Sequence, residues 1–195
     1  MREVYSIVIR PPDNDITLVK DMKMLMTTNV IDDYGSQNSE AHITMVTFKA
    51  DLSELNKVIS YLESFCLSTN VKNLSFIKVG SFPKTIYLGA STDTQEWFKI
   101  LVKRFSKHFP LNKKASEFKI TTTPHITIGR ELKALDLIKA CHLFENHKVD
   151  IAFLCESITV RKLNRSIGQY EVLSSHIFGN KPDLDIENQQ LSLFD

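Results

Sequence analysis

Long apolar runs and cysteines are both scarce in this sequence of 195 residues. No segment approaches the roughly 20 consecutive apolar residues that a membrane-spanning helix needs, so we expect no insertion into a membrane. The three cysteines, Cys66, Cys141 and Cys155, are odd in number, widely spaced and surrounded by apolar neighbours. This pattern favours reduced thiols in the core over a disulfide framework or a zinc site.

An excess of charge of either sign is also missing. The net charge of +1 predicts no class of partner, and an anionic ligand would have to be held by a local patch of charge. The first residues lead directly into the strand-like segment VYSIVIR, without the features of a secretory signal. We therefore expect a cytoplasmic protein that forms one compact unit, as a monomer.

The order of the predicted elements repeats along the chain. β-branched segments predict strands, and apolar residues at helical spacing predict amphipathic helices. The first half contains predicted strands at 4–9, 42–48 and 74–79, with helices at 16–29 and after Asp51, which resembles a capping box with Glu54. The second half contains predicted strands at 85–88, 125–128 and 170–178, helices from about 94 and 132, and a long strand or bent pair at 151–163.

A near-constant offset relates the two halves, because 81 residues separate Val4 from Thr85 and 83 separate His42 from His125. This duplication predicts an α+β fold in which two β-α-β-α-β units, at about 1–82 and 83–179, pack with matching elements facing each other. Both units belong to one predicted domain, and a polar tail occupies 180–195.

Each unit carries a His-x-Thr motif in a predicted strand. Side chains alternate along a strand, so His42 and Thr44 share one face, as do His125 and Thr127. Two imidazoles that meet across a cleft can act as base and acid in one reaction. Threonine hydroxyls can donate hydrogen bonds to a phosphate as charge develops on it. This chemistry cleaves a phosphodiester and requires neither a metal nor a cofactor.

The two motifs, together with the segments YSIVIRPP and PHITIGR, are similar to the two-histidine phosphoesterase superfamily. The similarity is strongest to its bacterial 2'-5' RNA ligase and RNA 2',3'-cyclic phosphodiesterase branch, and it covers about residues 1–178. It implies two pseudo-symmetric lobes, with mostly antiparallel sheets lining a central cleft and helices outside. It also implies an enzyme that acts on cyclic phosphates or 2'-5' linkages of RNA or nucleotides.

The resemblance implies a role for each motif residue. By that resemblance His42 donates a proton, His125 accepts one, and Thr44 and Thr127 bind the phosphate.

The two motifs differ in the residue five positions after the histidine. Arg130 holds this position after His125, whereas Thr47 holds it after His42. A guanidinium can clamp a phosphate through two parallel hydrogen bonds. The cyclic phosphodiesterase branch often carries this arginine, so we expect Arg130 to bind the substrate phosphate.

Structural explanations compete with these predictions. Core histidines satisfied by backbone groups are the alternative for the histidine pair. Metal ligation is disfavoured, because neither histidine has a carboxylate or cysteine at ligand spacing. The basic segments NKKASEFK and VRKLNR would bind RNA phosphates or form a solvated face. Aromatic side chains would stack on a base or pack in the core, namely those of Tyr34, Phe82 and Tyr87.

The chain turns polar after Phe178, which predicts an unfolded linker. Its last segment resembles the short peptide by which bacterial proteins dock on the DNA polymerase sliding clamp, namely Gln190, Leu191, Ser192, Leu193 and Phe194. A tail that folds back onto its own domain is the alternative. A second functional hypothesis is therefore a non-catalytic adaptor with the same fold, which binds RNA or is tethered to a sliding clamp.

Overall fold

The computed structural model describes residues 2–179, which form four helices and nine strands. The helices are α1 (Asp13–Asn29), α2 (Leu52–Leu67), α3 (Thr92–Lys107) and α4 (Ala134–Phe144). The strands are β1 (Glu3–Ile9), β2 (Ile43–Ala50), β3 (Lys72–Phe82), β4 (Thr85–Ala90), β5 (Lys119–Ile120), β6 (His125–Arg130), β7 (Ile151–Cys155), β8 (Ser157–Asn164) and β9 (Gln169–Ile177). The predicted α+β class is confirmed.

The strands form one antiparallel sheet in the order β7-β3-β4-β6-β2-β1-β8-β9, with the short β5 beside β2. β6 and β2 lie at the centre, and three further strands extend from each of them. The sheet curls, because the single residue Glu156 separates β7 at one edge from β8 near the other, and one residue spans only about 3.5 Å. This curvature turns one face of the sheet into a concave surface.

The strand pairing crosses the expected boundary between residues 82 and 83. β3 precedes that boundary but pairs with β4 and β7, whereas β8 and β9 come after it, and β8 pairs with β1. β3 pairs with β4 because only Pro83 and Lys84 connect them, so the two strands form a tight hairpin with Lys84 at a φ of 68°. At the other end, the predicted segment 151–163 bends at Glu156 and so contributes β7 and β8 to opposite halves of the sheet.

A local sequence signal marks the start of α2. The predicted capping box of α2 is confirmed, because the Asp51 carboxylate accepts from the Glu54 amide and the Glu54 carboxylate accepts from the Asp51 amide, each at 2.9 Å. α1 begins at Asp13, earlier than predicted, directly after Pro12 in extended conformation. The segment between α3 and β6 contains the short strand β5.

The core cluster of buried apolar residues includes residues from every strand of β1 to β8 except β5, and from all four helices. Cys66 and Cys155 lie in it, as predicted. The prediction of a core thiol is wrong for Cys141, which is exposed because it lies about one turn beyond Ile138 on the solvent face of α4. No helix within residues 2–179 combines the length and apolar character that a membrane span needs.

Candidate active site

The two His-x-Thr motifs meet at the centre of the sheet. β2 and β6 pair through Ile43 and Ile126, the residues that come directly after His42 and His125. Both isoleucines are fully buried, so strand alternation directs the motif side chains to the opposite, concave face. His42 lies one residue before β2 rather than within it.

All five predicted site residues line one cleft of about 640 Å³ on this face: His42, Thr44, His125, Thr127 and Arg130. Each half of the sheet supplies one histidine and one threonine, and the half that contains β6 adds the arginine. The two histidines therefore lie on one shared cleft and not in separate regions of the core.

The two imidazoles are held in the same way. Nδ1 of His42 lies 2.6 Å from the carbonyl oxygen of Glu40, and Nδ1 of His125 lies 2.9 Å from that of Thr123, in each case two residues earlier in the chain. A carbonyl oxygen only accepts, so each Nδ1 carries the proton. The neutral ring then has its lone pair on Nε2, which forms no hydrogen bond within the described part of the chain. This tautomer suits proton transfer at Nε2.

Both histidines are neutral near pH 7 in the free protein. Burial, together with the positive charge of Arg161 and then that of Lys23, lowers the pKa of His42 to about 3, against the hydrogen bond to Glu40. Burial also lowers the pKa of His125, and its hydrogen bond to the Thr123 carbonyl opposes that effect. The surroundings of His42 therefore disfavour the protonated imidazole more strongly than those of His125 do.

Lys23 is a buried cation behind the cleft. Its side chain on α1 is only 5% exposed, and Nζ donates to the carbonyl oxygens of Ser36 and Ser39 at 2.8 and 2.5 Å. Burial, with a smaller effect of Arg130, lowers the pKa of Lys23 to about 8. Ser36 and Ser39 both line the cleft, so this ammonium group fixes one of its walls.

Arg161 is a second buried cation, on β8 in the half of the sheet that carries His42. It is 6% exposed, its Nε donates to Ser6 Oγ at 3.3 Å, and its guanidinium lies 5.1 Å from the ring centroid of Tyr170. Burial lowers its pKa to about 10. Neither Arg161 nor Lys23 forms a salt bridge with a carboxylate of residues 2–179.

The residues that line the cleft include no aspartate or glutamate in the described ranges. Buried cations without a salt bridge carry a desolvation cost, which the charge of Glu40 offsets only in part for Arg161. The cleft is therefore electrostatically suited to an anion, because a negative ligand would supply the missing partner charge.

The predicted aromatic residues occupy three different environments. Tyr34 is a core residue, 8% exposed, and its hydroxyl donates to the carbonyl oxygen of Lys23 at 3.0 Å. Phe82 lines the cleft, and its ring stacks on Tyr87 at 4.2 Å between centroids. Both rings contact the imidazole of His125 edge to face at 5.3 Å. Of the three, only Phe82 both lines the cleft and retains partial exposure there.

Three residues of the site lay outside the sequence predictions or were assigned a different role. Lys23 interrupts the apolar stripe of α1 between Val19 and Met26, a signal that could have identified it. Arg161 belongs to a basic segment that would equally fit a solvated face, and no motif marks Tyr170, which lines the cleft from β9. The positions of Arg161 and Tyr170 depend on long-range strand pairing.

The remaining basic residues of the two predicted segments stay outside the cleft, and most are exposed: Lys113, Lys114, Lys119, Lys162 and Arg165. Within residues 2–179 no group of three or more histidine, cysteine, aspartate or glutamate side chains is placed to hold a metal ion.

Several solved structures share this fold. E. coli LigT, in its complex with NADP+, has a TM-score of 0.63 and 12% identity over 92% of this chain and 100% of that chain. Usb1 of Kluyveromyces marxianus has a TM-score of 0.57 and 12% identity over 90% of this chain and 98% of that one. TT0787 of Thermus thermophilus also has a TM-score of 0.57 and 12% identity, over 92% and 99%. At such identities the likeness shows the fold alone.

No curated protein matches this sequence significantly. The sequence profile of the 2'-5' RNA ligase superfamily, in contrast, matches residues 11–166, a range that contains both His-x-Thr motifs and Arg130. The family relationship predicted from those motifs is therefore confirmed, and the chain belongs to the 2'-5' RNA ligase superfamily of two-histidine phosphoesterases.

Proposed function

We propose that the protein is a metal-independent phosphoesterase that hydrolyses 2',3'-cyclic phosphates of RNA or oligonucleotides, and that the same site joins or cleaves 2'-5' linkages. One observation carries this proposal: two imidazoles, each with Nδ1 on a backbone carbonyl, line one cleft that contains an arginine and no carboxylate in the described chain. Among the related structures, E. coli LigT has been solved with phosphate and with 3'-AMP.

In the hydrolytic reaction a water oxygen attacks phosphorus in line with the leaving ribose oxygen. One imidazole takes the proton of the water, the new P–O bond forms, the bond to the ribose oxygen breaks, and the other imidazole protonates that oxygen. Thr44 and Thr127 donate hydrogen bonds to the non-bridging oxygens, and Arg130 adds a guanidinium on one side. The product is a ribose phosphate monoester.

The assignment of His42 as the proton donor requires that it gains a proton with the substrate. In the free protein burial and the charges of Arg161 and Lys23 keep its pKa low. An anionic phosphate in the cleft opposes the effect of those cations, because an adjacent opposite charge favours the protonated imidazole. Substrate binding therefore prepares the acid, while His125 remains available as the base.

Replacement of either histidine tests the enzyme hypothesis. His42→Ala and His125→Ala are each expected to lower kcat on a 2',3'-cyclic-phosphate oligonucleotide by about 10²- to 10⁴-fold, since each removes a general catalyst. Turnover is measured in EDTA, with identification of the phosphate isomer formed. His108→Ala removes an exposed histidine outside the cleft and is the matched control. Wild-type protein without turnover on any cyclic phosphate or 2'-5' linkage would favour the adaptor hypothesis.

The two histidine variants also separate acid from base. A nucleotide ester with p-nitrophenolate as leaving group does not need protonation of that group, so the variant without the acid should recover activity on it. We expect recovery with His42→Ala and none with His125→Ala. The reverse pattern would assign the two roles the other way round while leaving the histidine pair catalytic.

The buried ammonium group of Lys23 predicts an unusual dependence of stability on pH. Its pKa is about 8 in the folded protein against 10.5 as the ordinary value, so the unfolded chain binds more protons between these values. The free energy of unfolding should therefore rise by about 2 kcal/mol between about pH 8 and pH 10 through this group alone. Urea denaturation of wild type and Lys23→Met measures the difference.

Lys20→Met serves as the control for this experiment, because Lys20 is an exposed lysine on the same helix. It should retain the rise of the wild type, whereas Lys23→Met should lose it. Lys23→Met should also bind inorganic phosphate more weakly at pH 7, as measured by calorimetry. Equal pH profiles for all three proteins would contradict a buried, charged Lys23.

The predicted clamp peptide, Gln190, Leu191, Ser192, Leu193 and Phe194, lies outside the described residues and stays a prediction. Its three apolar side chains would anchor in a groove of a bacterial DNA polymerase sliding clamp. Removal of the last six residues should therefore abolish recovery of the full-length protein on an immobilised clamp. A Ser192→Ala variant keeps the apolar anchors and should still bind. Equal recovery with and without the segment would contradict the prediction.

A further inference from the structure

Two aromatic rings line the cleft on opposite sides of the central strands. Phe82 ends β3, in the half of the sheet that carries His125, and Tyr170 begins β9, in the half that carries His42. β6 and β2 lie between them in the strand order. Each half of the cleft therefore has one ring and one histidine, with the phosphate-binding groups between the two rings.

Each ring is supported on one face by a side chain that does not itself line the cleft. Tyr87 stacks on Phe82 at 4.2 Å, with 25° between the ring planes. The Arg161 guanidinium lies over the Tyr170 ring at 5.1 Å. Both rings are partly exposed, and both line the cleft. A supported aromatic ring that is exposed in a cleft is a platform on which a base can stack.

We propose that Phe82 and Tyr170 each stack one nucleic acid base, so that the cleft selects a phosphodiester that joins two nucleosides. This inference rests on the proposed function, because it takes the histidine pair as the place of the phosphorus atom. A cyclic mononucleotide has both ester oxygens on one ribose and therefore offers a single base. A 2'-5'-linked dinucleotide offers one base for each platform.

The in-line geometry of the reaction fits two separate platforms. When the free 3'-oxygen of a 2'-5' linkage attacks phosphorus, a 3'-O–P bond forms and the bond from phosphorus to the 5'-oxygen of the second nucleoside breaks. One imidazole takes the proton of the 3'-hydroxyl, and the other protonates the leaving 5'-oxygen. The attacking and leaving oxygens lie on opposite sides of phosphorus, so their two nucleosides extend towards opposite walls. The reverse reaction joins the same two nucleosides.

Binding measured without turnover tests this proposal apart from catalysis. In the background of the inactive His42→Ala/His125→Ala double variant, Phe82→Leu and Tyr170→Leu are each expected to weaken binding of adenylyl-(2'-5')-adenosine by about 10-fold, by loss of one stacked base. Tyr170→Phe keeps the ring and should bind within about twofold of the parent, since stacking uses the aromatic face. Unchanged affinity for inorganic phosphate and unchanged thermal stability show that the fold is intact.

Dinucleotides that lack one base identify which ring holds which nucleoside. When the base of one nucleoside is removed, one of the two leucine substitutions should no longer change the affinity. When the base of the other nucleoside is removed, the other substitution should no longer change it. Adenosine 2',3'-cyclic phosphate should respond to only one substitution. The proposal is overturned if either substitution leaves the dinucleotide affinity unchanged, if both act on the same base, or if the dinucleotide binds no more tightly than inorganic phosphate. Catalytic failure of the wild type would instead count against the proposed function.

Discussion

Two positive charges, buried without a salt bridge to any carboxylate of residues 2–179, dominate the electrostatics of the cleft. Lys23 and Arg161 are almost fully covered, and they contact carbonyl oxygens, a serine hydroxyl and an aromatic ring. Charges in such surroundings cost stability, so core packing around the curled sheet has to offset them. An anion in the cleft lowers that cost, and this links ligand binding to the stability of the fold. Burial and the same charges lower the pKa of His42 in the free protein, so in the proposed mechanism one electrostatic feature would couple phosphate binding to protonation of the acid.

The duplicated architecture explains how two imidazoles come to line one cleft. β2 and β6 pair through Ile43 and Ile126 at the middle of the sheet, and each histidine immediately precedes its isoleucine. In each half the carbonyl two residues before the histidine orients the ring. Symmetry thus places two equivalent imidazoles in the cleft, whereas the proposed reaction, with one acid and one base, requires unequal surroundings. Aromatic rings contact His125, whereas buried cations influence His42.

Sequence patterns predicted the features that depend on neighbouring residues. Alternation along a strand placed each histidine and threonine on one face, and the Asp51 capping box marked the start of α2. The pairing of β3 with β7 and of β8 with β1 depends instead on contacts between residues far apart in sequence, which local periodicity does not encode. For that reason Arg161 and Tyr170, both on the β8–β9 hairpin, could not be assigned to the site from the sequence. Lys23 could have been recognised, because a charged residue within the apolar stripe of a helix requires partners that explain its burial.

The strand register also explains why the two walls of the cleft differ. Ser6 pairs with Arg161 and with Thr47, while Thr85 pairs with Phe82 and with Arg130. Arg161 and Phe82 therefore occupy equivalent positions in the two halves of the sheet. In one half the guanidinium lies on the His-x-Thr strand, as Arg130 of β6, and in the other half it lies on β8, as Arg161. In the half that contains β6, the guanidinium of Arg130 lies at the exposed end of that strand, and the aromatic ring of Phe82 lies on β3. In the half that contains β2, the guanidinium of Arg161 is buried, and the ring above it is that of Tyr170 on the next strand, β9. The two walls are thus unequal despite the duplication, and this inequality gives the cleft a direction along which a substrate with two different ends can be oriented.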